Sequence, residues 1–216
     1  MKTIVPMPRG DRWELVGVRT KLSHRSKLPG ARVFDLVADS LRKASALGLD
    51  AADRLALALP ASWCVNSPVD SRVFRRWALP PQREVWLALI DLLEQPRTGP
   101  LDTESTEAIL AGLHAVAPEP TGIEAVSKVL ALLLPDAVPL MPPPARSFVL
   151  GADGPTDGAA FVAMVDWFAS ATASCRDELG TWAAAHAEVA LSGAQVLDRL
   201  LWFDSEGHRH FPPVVE

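Results

Sequence analysis

The stretch TGIEAVSKVLALLLPDAVPLMPPPARSFVLG, residues 121–151, decides how the rest of the chain is read. Thr121 and Glu124 have the S/T-x-x-E spacing of a capping box, in which the threonine oxygen takes an amide of the first turn and the glutamate returns to the threonine N–H. From Ile123 the apolar residues Val126, Val129, Leu130, Leu133 and Leu134 recur at spacings of three and four, which gives one apolar helical face. Pro135 halts the run because it has no N–H to donate. Lys128 falls on the other face. Pro139, Pro142, Pro143 and Pro144 then hold the chain extended until residues 145–150 turn again, with Gly151 as the C-terminal cap. The prolines lower the entropy of the unfolded chain, so this turn is rigid at little cost, and it is expected to border whatever pocket the fold makes. Lys128 and Arg146 on its two flanks put positive charge beside it.

Outward from this unit the chain reads as helix after helix. Residues 32–47 carry Val33, Phe34, Val37, Leu41 and Leu47 at helical spacing and end at Gly48. Residues 51–59 form a second helix closed by Pro60. Ser67-Pro68-Val69-Asp70 has serine at the cap and proline in the first turn, and leads into Val73, Phe74 and Trp77. Residues 84–93 make a core stripe of Val85, Trp86, Leu89, Ile90 and Leu93, and residues 103–116 another through Ala108, Ile109, Leu113 and Val116. Asp157 caps one helix over 159–179, and Ser192-Gly-Ala-Gln195 is a second capping box for a last helix through Trp202. Alternation over 13–21 and a short tail over 207–211 are the strand candidates. The fold class is therefore mostly α: a compact multi-helix domain of about eight helices with a few short terminal strands. Residues 1–216 read as one unit, and two prolines and a glycine in residues 95–100 mark the boundary between sub-lobes 1–95 and 101–216.

With 216 residues, 49% hydrophobic and 22% charged, the chain can bury a full core. No run approaches the length of a membrane span and no apolar signal core follows the N-terminus, which predicts a cytoplasmic protein. Cys64 and Cys175, far apart and each in apolar surroundings, read as free buried thiols. Residues 1–45 hold ten Lys or Arg against four Asp or Glu, net +6, and the remainder eleven against twenty-two, net −11. This basic head is a solvated arm, an electrostatic match to the acidic body, or a small anion-binding surface of Arg19, Lys21, Arg25, Lys27 and Arg32. Duplex DNA is disfavoured as a partner, because the body would repel the phosphate backbone.

The chain lacks G-x-S-x-G, P-loop, H-E-x-x-H and G-x-G-x-x-G motifs, so no cofactor is implied. His208 and His210 beside Asp204 and Glu206 have the spacing of a metal edge, but a solvent-facing tail is the preferred reading, and no metal is expected; His114 and His186 stand alone on helices. Seven tryptophans and no tyrosine point first to helix packing by Trp63, Trp77, Trp86, Trp167 and Trp202, and otherwise to a pocket for a flat ligand. The candidate catalytic residues are Asp198, Lys128 and Asp136. The candidate ligand-binding residues are Lys128, Arg146 and Trp202. Asp198, among Leu197, Leu200 and Leu201, is expected to be half buried and paired with Lys128 or Arg146 if its role is structural.

Residues 127–151, SKVLALLLPDAVPLMPPPARSFVLG, resemble the helix, turn and helix of the helix-hairpin-helix DNA glycosylase superfamily. They are closer to a group of uncharacterised bacterial proteins with an S-K-x-L motif, a P-x-x-x-P-L turn and a late helix that QVLDRLLW, residues 195–202, resembles. The resemblance implies a glycosylase-like, two-lobed helical body. Aligning Pro139 with the family proline puts Met141 where the base-activating aspartate belongs, and the L-P-G-x-G hairpin is missing before Ser127. A thioether cannot take a proton from water. The function expected is a non-catalytic binding or interaction protein with a small molecule or a protein as partner; the alternative is an enzyme acting on a base-like or aromatic small molecule.

Overall fold

A helix whose polar side chains keep to one narrow edge must bury the rest, and residues 122–133 meet that condition. In the computed structural model, which describes residues 3–64, 71–95, 97, 99–117, 122–155, 157–185 and 190–206, helix α7 (Gly122–Leu133) exposes little beyond Glu124 and Lys128. Eleven helices and one two-stranded sheet are found among the described residues. In chain order they are β1 (Thr3–Pro6), β2 (Arg12–Leu15), α1 (Val18–Ser26), α2 (Pro29–Ala46), α3 (Ala51–Cys64), α4 (Ser71–Trp77), α5 (Pro80–Glu94), α6 (Thr103–Val116), α7, α8 (Pro143–Leu150), α9 (Gly158–Ser174), α10 (Arg176–Ala185) and α11 (Gly193–Ser205). Helices α2, α3, α6 and α9 pack around α7, while α5 lies against α6 and α3, and α11 against α1, α8 and α10. The protein is mostly α, as the sequence pattern predicts.

Several boundaries differ from those read off the sequence, each for a physical reason. The strand expected over 13–21 stops at Leu15, because Gly17 adopts a left-handed conformation (φ 60°, ψ 28°) that turns the chain into α1. Pro60 lies inside α3 rather than ending it, and the helix continues to Cys64 with Ser62 fully buried. The helix expected over 159–179 is two helices, α9 and α10, bent by 82° at Cys175. On α2 the buried face is Phe34, Asp35, Ala38, Asp39 and Leu41, so Val33 and Leu47 face solvent. Trp63, expected on an apolar face, is half exposed. The Ser67-Pro68 start, Thr121 of the first capping box, His186, His208, His210 and the tail strand lie outside the described residues. Ser192 and Gln195 form the second box as expected, with the Gln195 amide donating to Ser192 Oγ (3.1 Å) and the Ser192 amide to Gln195 Oε1 (2.9 Å).

The basic head is not a solvated arm. Strands β1 and β2 pair antiparallel with Val5 opposite Trp13, and Val5, Met7, Trp13 and Leu15 all turn into the core. Trp13 meets Phe148 edge to face, and the Trp167 indole donates to the Pro6 carbonyl at 3.0 Å. Two of the head's cations are buried as well: the Lys21 ammonium lies 2.6 Å from Asp204, and Arg25 faces Asp35. Of these two pairs Lys21–Asp204 joins the head to the body, and Arg25–Asp35 lies within the head. No single helix among the described residues is long and apolar enough to cross a membrane.

Candidate functional site

Ser127, the serine of the S-K-x-L motif, is fully buried on α7. Its hydroxyl donates to the Glu124 carbonyl (3.0 Å) and accepts from the Met141 amide (3.1 Å). One residue earlier, the Leu140 amide donates to Asp198 Oδ1 at 2.8 Å. A proline-rich segment cannot satisfy its remaining amides by folding into a helix, so two side chains from α7 and α11 take them. The turn is thereby fixed between those helices.

Asp198 does not pair with Lys128 or Arg146. Its second oxygen bonds to Arg199, which also reaches Asp35 of α2. Arg25, Asp35, Asp198 and Arg199 form a buried charge cluster of two cations and two anions. Burial pushes the Asp198 carboxyl above its ordinary range, and Arg199, Arg25 and the Leu140 amide pull it back only in part. Burial likewise lowers Arg25 to about 10, helped by the neighbouring Arg199 and opposed by Asp35 and Asp198. The Arg25 guanidinium lies over the Trp202 ring, 5.1 Å from its centroid, which gives the cation a further electrostatic partner. Asp198 thus ties the turn to α11 through the Leu140 amide.

Between α7, the turn and the end of α11 the surface opens into a pocket of about 300 Å³. Glu124, Ser127, Lys128, Leu140, Met141, Pro142, Trp202 and Glu206 line it. Burial lowers the Lys128 ammonium, with Glu124, one helical turn before it, acting in the opposite sense. The same two influences act on Arg146 of α8, which stands behind the rim without lining the pocket. Glu206 follows the last turn of α11, a turn that carries no basic residue.

Of the residues singled out from the sequence, Lys128 and Trp202 are thus brought together at one pocket and Arg146 stands beside it. Asp198 is buried behind Leu140, and Asp136 bonds to the Ser192 hydroxyl at the start of α11. Met141, at the position aligned with an aspartate, is fully buried. The sequence shows Glu124 only as the acid of a capping box and Glu206 only beside His208 and His210; the pocket is what joins them to Lys128. Ser127 is visible in the S-K-x-L motif, but its part in tying down the turn is not. Among the described residues no group of three or more His, Cys, Asp or Glu is placed to hold a metal ion. Comparison with protein-family models, with curated proteins and with solved structures finds no match to this chain.

Proposed function

We propose that the chain is a binding protein, and that the pocket between α7, the proline-rich turn and α11 takes a small molecule with a flat or apolar part. One observation carries this: Lys128 and Trp202 meet at the pocket, while the carboxylates Asp198 and Asp136 are engaged elsewhere with Leu140, Arg199 and Ser192. An indole beside apolar Leu140 and Pro142 offers a packing surface, and an ammonium offers orientation. The resemblance to DNA glycosylases supports a helical body kept as scaffold, with Met141 in place of the aspartate that base excision uses. The rival reading, an enzyme acting on a base-like or aromatic molecule, draws on Lys128, whose burial brings its proton closer to release beside Glu124.

Two measurements test the proposal. In the first, single-ring aromatic compounds are added while the Trp202 indole N–H resonance is followed. At least one compound moves it saturably, and Trp202→Ala abolishes that binding; a panel that leaves the resonance unmoved sinks the proposal. In the second, single-turnover incubation with alkylated or deaminated duplex DNA releases no base above a buffer control. Release well above control overturns the non-catalytic reading.

A further inference from the structure

The pocket lining carries charges of both signs. Lys128 lines it from α7. From α11 comes Glu206 at the C-terminal end of the helix, which the helix dipole makes negative. No basic side chain occupies the last turn to offset it. Among the described residues no ion pair engages Glu206, so its carboxylate is left without a described cation. Glu124 supports the charge of both Lys128 and Arg146. An ammonium has three protons to donate, so a lysine can serve a ligand anion alongside protein partners. Trp202, Leu140 and Pro142 line the same pocket.

Resting on the binding role proposed above, we infer that the ligand is a small aromatic zwitterion of the amino-acid type. Its carboxylate meets Lys128, its ammonium meets Glu206, and its ring packs on Trp202. A purely anionic ligand would bring its charge against two pocket carboxylates. A purely cationic one would meet Lys128. A neutral apolar one would strip water from three charged groups and return no hydrogen bond. A molecule carrying both signs compensates both at once. The pocket volume of about 300 Å³ stands at the small end of ligand sites, which suits a single ring with a short polar head.

The test uses the full chain and three compounds with the same ring: phenylalanine, which carries both charges, phenethylamine, which carries only the cation, and 3-phenylpropionate, which carries only the anion. Affinities are read from the Trp202 indole N–H resonance. Phenylalanine binds roughly tenfold or more tightly than either congener, the factor expected when a charge-assisted bond in a partly buried site is lost. Lys128→Met brings phenylalanine down to the level of phenethylamine, and Glu206→Gln brings it down to the level of 3-phenylpropionate, with melting temperatures kept within a few degrees as a check on folding. A singly charged congener that equals phenylalanine overturns the inference and leaves the pocket's binding role standing. If none of the three moves the Trp202 resonance, the inference also falls, and the wider aromatic panel decides the binding role separately. The comparison among the three compounds on the unaltered protein stands whether or not a variant folds.

Discussion

Asp198 joins the proline-rich turn to a buried charge cluster. Its two oxygens serve the Leu140 amide and Arg199, and both it and Arg199 are almost wholly buried. Removing one member of a buried ion pair leaves the other uncompensated, at a cost of about 3–5 kcal/mol. Asp198→Ala should therefore lose that much stability in urea unfolding; a loss under 1 kcal/mol would mean that Arg199 finds Asp35 sufficient. Asp39 of α2 makes a prediction of a different kind. Burial tends to raise its carboxyl, but bonds from Lys43 and Arg42 outweigh that and hold it below its ordinary value. A depressed carboxyl contributes stability that is present above its unfolded pKa, about 3.9, and is lost as pH falls through the lower folded value. Stability should consequently fall below about pH 4, and Asp39→Asn should make that acid limb shallower while lowering stability at neutral pH.

Helix ends were legible where a side chain marks them and illegible where tertiary structure decides. Ser192 and Asp157 announce α11 and α9 because each accepts a backbone amide of the first turn. Helix α1 left no apolar stripe, since Lys21 and Arg25 occupy its inner face and read as solvated charge until Asp204 and Asp35 are seen opposite them. The bend between α9 and α10 has no proline or glycine to signal it. The turn at 139–142 was legible from its prolines, and with it Lys128 and Trp202, whereas Glu206 joins the site only because α11 ends there. The glycine that ends α8 supplies a test at this scale. Gly151 has φ 92° and ψ 161°, a region essentially confined to glycine, although a Cβ there would meet nothing closer than Arg9 Cδ at 3.9 Å. Gly151→Ala should cost about 1–3 kcal/mol through backbone strain alone, read from the unfolding midpoint. A neutral result would show that the loop after α8 relaxes.

Taken whole, the molecule closes its core with its own N-terminus. Trp13 fills space against Phe148 and Trp167 and donates its indole N–H to Asp204 at 2.8 Å, so one side chain joins the hairpin to α8, α9 and α11. Replacing a buried tryptophan by alanine costs about 3–5 kcal/mol, a large share of the roughly 5–15 kcal/mol that separates a folded domain from its unfolded chain. Trp13→Ala should lower the melting temperature by roughly 6–20 °C, given about 2–4 °C per kcal/mol for a chain of this size. If residues 1–16 were a solvated arm, the same change would leave the melting temperature where it was.

The bend at Cys175 has a use that its packing does not advertise. The thiol is buried under β1, with its sulfur 3.9 Å from the Ile4 carbonyl, and burial pushes its proton affinity up, so the reactive thiolate is scarce while the strand is in place. An alkylating reagent reaches that sulfur when β1 lifts away. In a Cys64→Ser background the labelling rate of Cys175 becomes a built-in clock for the excursions of the N-terminal edge, running faster in Trp13→Ala well before the helical signal of the protein begins to fade.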